Sequence, residues 1–153
     1  MMTPDIKNKM IGLGLFLSVF AVDLIIKYLA TDGDYQIFGS FLELSYHENT
    51  GIAFSLPIPI WISSVLSVLL LGVGSYAAGR YLNWNKLMTP VIFGLVAGGA
   101  LGNLFDRVMH GYVIDYIAIW KWPVFNLADA AIFVGAVLLV IFYDKIALVK
   151  NKK

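Results

Sequence analysis

Four stretches of this sequence are apolar over the length that a helix needs to cross a bilayer, and they constrain the fold more than any other feature. Crossing ~30 Å of hydrocarbon takes about 20 predominantly apolar residues. The stretches lie at about residues 10–29, 60–79, 90–107 and 125–143. Because 59% of the residues are hydrophobic and only 14% are charged, a soluble domain of this size would expose large apolar patches. We therefore predict an all-α membrane protein with four transmembrane helices, forming a single integral membrane domain over residues 1–153.

The first apolar stretch follows Lys7 and Lys9, an arrangement that also occurs in secretory signal peptides. Its apolar run is longer than the roughly 7–15 residues of a signal-peptide core, and no small-residue cleavage site follows it before Asp23. We therefore expect a retained span.

The segments between the spans differ in character. Residues 42–47 alternate apolar and polar side chains, which is the period of a half-buried strand, and residues 49–51 have turn chemistry before a second apolar run at 52–56. This pattern predicts a small extracytoplasmic β-sheet between helices 1 and 2. Residues 111–123, between helices 3 and 4, are rich in Tyr and Trp, which favour the headgroup level. They are expected to form a short extracytoplasmic connection that includes Tyr116.

Small residues form stripes on two of the spans. Gly94, Gly98 and Gly102 recur every four residues, so they predict close packing of the third helix against a neighbour. The next position on this stripe is Asp106, which is therefore expected to point into the bundle, with the adjacent Arg107 able to neutralise it.

A second stripe, on the second span, consists of Ser63, Ser67, Ser75 and Gly79. We interpret these serines as helix-packing residues and not as nucleophiles.

Basic residues predict the orientation. Eight of the 11 Lys and Arg residues flank the spans at one side, and the positive-inside rule then places both termini in the cytoplasm. They are Lys7, Lys9, Arg80, Lys86, Lys145, Lys150, Lys152 and Lys153.

This orientation brings the unusual polar residues to one plane near the outer surface. An ionisable side chain at membrane depth is costly, so several of them at one level indicate a functional site. The residues are Asp23, Lys27, Asn49, Asn103, Asp106, Arg107, Asp115, Asn126 and Asp129.

For several of these residues, two interpretations are open. Asp23 and Lys27 have the favourable i,i+4 order and could be a local neutralising pair, with Lys27 reaching the interface, or a brace for the site. Asn49 could be a turn residue or a site residue. Asp129 lies near a helix N-terminus, where an acid is stabilised by the helix dipole, so it could be a helix cap or a reactive group.

The reactive groups are expected to be carboxylates. The chain contains no cysteine, and His47-Glu48 lacks the second histidine of a zinc helix because Gly51 occupies that position. Two carboxyls in one site share a proton, so one can act as a base while the other polarises a carbonyl. Asp115 and Asp129 have no adjacent basic residue, so we assign the pair to them and give Asp106 a supporting role. No metal, cofactor or nucleic-acid partner is expected.

Five short motifs follow one another along the chain: Asp23-x-x-x-Lys27, Asn49-x-Gly51-x-Ala53-Phe54, Gly98 to Arg107, Gly111-x-Val113-Ile114-Asp115, and Phe125-Asn126-Leu127-Ala128-Asp129. In this order they resemble the motifs of bacterial lipoprotein signal peptidase, also called signal peptidase II. The resemblance implies an aspartic endopeptidase of the bacterial inner membrane that cleaves a prolipoprotein N-terminal to a diacylglyceryl-modified cysteine.

The resemblance also implies roles for individual residues. Asp115 and Asp129 correspond to the catalytic pair. The residues that correspond to supporting or substrate-contacting positions are Asp23, Lys27, Asn49, Gly51, Asn103, Asp106, Arg107 and Asn126. The expected partners are the lipid-modified prolipoprotein and membrane lipid, with the enzyme itself a monomer.

The sequence departs from the family pattern at Ile52, Ser55 and Phe105, and the segment joining Asp115 to Asp129 is short, so the cleft is expected to have its own shape.

Two other classes of protein are compatible with four spans. A transporter or channel would use the acids as an ion path, but such a path needs ionisable residues along the membrane depth. An assembly factor would explain the glycine stripe but not the plane of polar groups.

Overall fold

The computed structural model describes residues 3–31, 33, 35–39, 41–51 and 59–148. Its elements confirm four helices, each long and apolar enough to cross a membrane, together with a small antiparallel sheet. In chain order they are α1 (Pro4–Ala30), β1 (Tyr35–Phe38), β2 (Leu42–Asn49), α2 (Ile60–Tyr81), α3 (Met88–Met109), β3 (Val113–Ile119) and α4 (Leu127–Ile146).

Local chemistry explains where the helices begin. Helix α1 starts at Pro4, before the predicted residue 10, because proline suits the first helical position and Lys9 pairs with Asp5 at 2.9 Å one turn away. Helix α4 begins after Asn126, whose side chain accepts a hydrogen bond from the Asp129 backbone N–H and caps the helix.

The sheet has the order β1-β2-β3, and its third strand lies in the segment that we expected to be a plain connection between α3 and α4. Residues 113–116 are all buried, so β3 lacks the alternation of a half-buried strand, and periodicity gave no signal. Pairing with β2 places His47 opposite Asp115 and Asn49 opposite Val113. The predicted second run, residues 52–56, lies outside the described residues.

Helix α3 packs between α1 and α4, and its glycines confirm the predicted close approach. A Cβ atom built on Gly98 would lie 2.8 Å from the Phe16 carbonyl oxygen of α1, and one on Gly102 would lie 2.9 Å from the Asp23 carboxylate. On another face, Gly99 lies against the backbone of Ala128 in α4. The stripe therefore holds α1 against α3 and directs Asp106, which is 1% exposed, into the bundle.

Helix α2 lies at the periphery, and here the predicted packing stripe was wrong in part. Ser63 is buried, but Ser75 and Gly79 are exposed. The hydroxyl groups of Ser63 and Ser67 donate to carbonyl oxygens of their own helix, at 2.8 Å each. Most of the α2 surface therefore remains available to lipid.

Replacing Gly98 with leucine is expected to destabilise the protein by about 1–3 kcal/mol or more and to lower activity, because the side chain would enter the backbone of α1. Thermal unfolding in detergent measures the effect. Gly74→Leu on α2 is the matched control, since a Cβ atom there has no neighbour within 4 Å. Equal stability of the two variants would contradict the close contact between α1 and α3.

Candidate active site

Five elements bring the predicted site residues together at one end of the helical bundle. Asp115 lies on β3 beside Asn49 at the end of β2, and Asp129 lies in the first turn of α4. The C-terminal half of α3 supplies Asn103 and Asp106, and α1 supplies Asp23 and Lys27. Asn49 and Asp129 are half-buried. The other side chains named here are buried.

Asp115 is 3% exposed, and both of its carboxylate oxygens accept hydrogen bonds from amides. Asn49 Nδ2 donates to Oδ2 at 2.8 Å, and Asn126 Nδ2 donates to Oδ1 at 2.7 Å. The Asn49 side-chain oxygen also accepts the Gly51 N–H at 3.0 Å. Asn49 therefore serves both as a turn residue and as a partner of the site carboxylate, which unites the two interpretations of its sequence position.

Asp129 is held by a different set of groups. Asn103 Nδ2 donates to its Oδ1 at 2.7 Å, and its backbone N–H donates to Asn126 Oδ1 at 2.8 Å. The helix cap is thus Asn126, while the Asp129 carboxylate is directed toward Asn103. Since Asn126 binds both the Asp115 carboxylate and the Asp129 backbone, it fixes the separation of the two acids.

Below these acids lies a buried ionic cluster formed by Asp23, Lys27 and Asp106. The Lys27 ammonium is 2.6 Å from Asp23 and 2.8 Å from Asp106, and it donates to Asn103 Oδ1 at 3.2 Å. Lys27 is 2% exposed, so the interpretation in which its ammonium reaches the interface does not hold. The observed contacts favour the brace interpretation, because the lysine joins α1 to α3 and, through Asn103, to Asp129.

Each acid of this cluster also binds the backbone next to a site aspartate. Asp106 Oδ2 accepts the N–H of Ile114 at 3.0 Å, and Asp23 Oδ1 accepts the N–H of Ala128 at 3.1 Å. Ile114 precedes Asp115 in the chain, and Ala128 precedes Asp129. The ionic cluster therefore positions both acids through main-chain hydrogen bonds.

Arg107 has a different role from the one expected. Asp106 pairs with Lys27, whereas Arg107 Nη1 donates to the Asn103 carbonyl at 3.3 Å and contacts Ser67 Oγ at 3.5 Å. Arg107 thus connects α3 to the peripheral helix α2. Its guanidinium is half-buried and lies at the rim of the site.

Tyr116 is a site residue that the sequence reasoning missed. We expected it at the headgroup level, but it is 1% exposed, donates its hydroxyl to Asp23 at 3.2 Å and accepts the Leu127 N–H at 3.1 Å. Burial, together with the charge of Asp23, raises the pKa of this phenol above its usual range. The sequence feature that could have identified Tyr116 as a site residue is its position directly after Asp115.

The site makes Asp115 harder to ionise. Burial raises the pKa of its carboxyl group from 3.8 to about 7, with a further rise from the charge of Asp129 and an opposing effect of the Asn49 hydrogen bond. The folded protein therefore binds the Asp115 proton more tightly than the unfolded chain does.

Because of this difference, the contribution of Asp115 to stability is largest below pH 4 and is lost as the pH rises to about 7. We expect the stability of the wild type relative to Asp115→Asn to fall over this range, by up to roughly 4 kcal/mol. Unfolding temperatures of both proteins, measured in detergent at a series of pH values, test this. A difference that stays constant with pH would contradict a raised pKa.

The site residues offer little for a metal ion. Within the described part of the chain, no group of three or more His, Cys, Asp or Glu side chains is arranged to hold one. Asp23 and Asp106 both pair with the Lys27 ammonium, and His47 Nε2 lies 2.9 Å from Ser45 Oγ.

Taken together, the fold and the site define a class: a multi-pass membrane protein with two amide-bound carboxylates held over a buried ionic cluster. A family model described as "Signal peptidase (SPase) II" matches residues 15–144. This chain belongs to the signal peptidase II family.

Individual relatives agree with this assignment. A lipoprotein signal peptidase of Syntrophomonas wolfei is 41% identical, and the alignment covers 84% of this chain and 89% of that protein. One of Pseudoalteromonas atlantica is 37% identical, with 84% and 86% covered. A solved structure described as a bacterial membrane enzyme has a TM-score of 0.78 at 24% identity, covering 88% of this chain and 87% of its own, and shows the likeness of the fold.

Proposed function

We propose that this protein is an aspartic endopeptidase that removes the signal peptide from diacylglyceryl-modified prolipoproteins, on the N-terminal side of the lipidated cysteine. Family membership supports a peptidase that acts on prolipoprotein signal peptides. The observation that carries the aspartic mechanism is the arrangement of Asp115 and Asp129, which Asn126 links through its amide nitrogen and oxygen.

The hydrogen bonds favour different roles for the two acids. Asp115 accepts an amide N–H at each oxygen, which stabilises its anion, and its pKa of about 7 suits a general base near neutral pH. The Asp129 carboxylate accepts one hydrogen bond from a side-chain amide, that of Asn103 to Oδ1. We therefore assign the shared proton of the pair to Asp129.

In this mechanism Asp115 takes a proton from water while the water oxygen attacks the scissile carbonyl carbon, and Asp129 donates its proton to the carbonyl oxygen. The product of this step is a neutral diol. Asp129 then recovers its proton from the diol, Asp115 donates its proton to the amide nitrogen, and the C–N bond breaks. Proton transfers by positioned side chains of this kind contribute about 10²–10⁴ in rate.

The other polar residues act as positioning groups. Asp23, Lys27 and Asp106 hold the main chain beside both acids, and Asn49, Asn103 and Asn126 orient the carboxylates. Among the residues that the structure describes, the charged side chains that are almost fully buried lie at one end of the helices: Asp23, Lys27, Asp106 and Asp115. This favours a hydrolytic site over the ion path of a transporter.

We further propose that the protein is a monomer in the bacterial inner membrane with both termini in the cytoplasm. The basic residues at the ends of the helices support this orientation. The site then lies near the outer boundary of the membrane, where the outward end of a signal helix could enter from the lipid.

An unlipidated precursor is expected to be cleaved far more slowly than its lipidated form. The diacylglyceryl group stays in the bilayer, contributing roughly 0.8 kcal/mol per buried CH₂, and holds the adjacent peptide bond at the depth of Asp115 and Asp129. The measurement compares both precursors, identical in sequence, in proteoliposomes of one composition.

The same proteoliposomes test the orientation. A non-permeant inhibitor added to the face that carries the sheet should stop cleavage, whereas the same inhibitor confined to the other face should not. Equal rates for the two precursors would contradict lipid-dependent positioning. Cleavage of neither precursor would remove the peptidase proposal.

A further inference from the structure

A cleft lies at the opposite end of the bundle from the candidate active site. Helix α3 begins and helix α4 ends beside it, whereas the site is built on the other end of both helices. Its volume is about 520 Å³, within the roughly 300–1,000 Å³ typical of small-molecule sites. The cleft is lined by Lys86, Leu87, Met88, Phe142, Lys145 and Ile146.

Hydrogen bonds fix the two chain segments that form this cleft. The Asn83 N–H donates to the Ile146 carbonyl at 2.7 Å, and the Leu148 N–H donates to the Tyr81 carbonyl at 2.8 Å. The fully buried Thr89 hydroxyl donates to the Asn83 carbonyl at 2.8 Å. The loop before α3 is therefore held against the end of α4, and the two lysines of the cleft lie on connected, ordered segments.

The cleft carries positive charge that the surrounding residues do not neutralise. In the described ranges, Lys86 and Lys145 form no ion pair with a carboxylate, whereas Lys9, at the same end of the bundle, pairs with Asp5 at 2.9 Å. The Lys145 ammonium instead lies 5.4 Å from the centre of the Phe142 ring. Two lysines thus line a cleft whose other lining side chains are apolar.

We propose that this cleft binds the phosphate of an anionic phospholipid, with phosphatidylglycerol as the probe. The cleft lies at the ends of two membrane-spanning helices, which is the level of lipid headgroups. Lys86 and Lys145 would bind the phosphate, while Leu87, Met88 and Phe142 would cover the glycerol and the first acyl methylenes. A free phosphate would leave these apolar walls without a partner, so the lipid fits better.

The test measures lipid binding, which is independent of the proposed peptidase activity. Delipidated protein in a neutral detergent is titrated with short-chain phosphatidylglycerol, short-chain phosphatidylcholine or inorganic phosphate, and bound lipid is counted by native mass spectrometry. The variant Lys86→Gln/Lys145→Gln is compared with the control Lys7→Gln/Lys9→Gln. Both remove two charges from the same end of the bundle, but the control leaves the cleft intact.

The wild type and the control are expected to bind one phosphatidylglycerol in preference to phosphatidylcholine. Each lysine near an anionic lipid contributes about fivefold, so the cleft variant should lose roughly 25-fold of this preference. An equal loss in the control variant would overturn the proposal, and so would the absence of any preference in the wild type. Inorganic phosphate that displaces no lipid supports a lipid site, while phosphate that binds as tightly as the lipid overturns it.

Discussion

Replacing Asp115 or Asp129 with asparagine is expected to abolish cleavage of a lipidated precursor, lowering the rate by about 10³-fold or more. Asparagine keeps the volume of the side chain but can neither accept the proton of water nor supply one to the carbonyl. Both Asp115 oxygens accept hydrogen bonds from side-chain amides. In Asp115→Asn the new NH₂ group would therefore face the NH₂ group of Asn49 or Asn126, so that two donors meet. Cleavage of the precursor by each purified variant in proteoliposomes measures the effect.

Asp144→Asn is the matched control for this prediction. Asp144 lies on α4, the same helix as Asp129, but it is exposed near the opposite end, so the exchange should leave the rate unchanged. Circular dichroism and unfolding temperature show whether each variant remains folded. Turnover near the wild-type rate by a folded Asp115→Asn or Asp129→Asn variant would exclude that residue from the mechanism.

Replacing Lys27 with methionine is expected to be the most destabilising single change. Methionine keeps most of the side-chain length but leaves the Asp23 and Asp106 carboxylates, which are 0% and 1% exposed, without their counter-charge. Breaking a buried ion pair by removing one partner costs about 3–5 kcal/mol. Activity should fall as well, because Lys27 binds Asn103 and thereby holds Asp129.

A second lysine on α1 provides the comparison. Lys9 also pairs with an aspartate one turn earlier, but its side chain is 52% exposed, and exposed pairs contribute about 0–1 kcal/mol. Lys9→Met should therefore change the unfolding temperature little.

A double variant tests the cause of the lost stability. Adding Asp106→Asn to Lys27→Met should recover part of that stability, since one unpaired charge is removed. If Lys27→Met proves no less stable than Lys9→Met, the ionic cluster is hydrated and does not act as a brace.

Much of the architecture was predictable from the sequence because it depends on local periodicity. Runs of apolar residues give the four spans, and the four-residue recurrence of Gly94, Gly98 and Gly102 gives the contact face of α3 and the direction of Asp106. The meeting of the polar residues at one end follows from helix lengths and connectivity. None of these inferences requires knowing which side chains touch.

The individual partners were decided only by the tertiary structure. Arg107 follows Asp106 in sequence, but adjacent residues on a helix do not face each other, so Asp106 pairs with Lys27 from a different helix. Residues 113–116 of β3, Tyr116 among them, are buried by pairing with β2 and by the helices beneath them, and burial of successive residues removes the alternation that marks a strand. The predicted packing stripe on α2 was wrong in part for a different reason. Small residues allow another helix to approach closely, but they do not determine whether a helix lies beside them. Side-chain spacing along one element fixes the face on which a residue lies, whereas its partner depends on which distant element packs against that face.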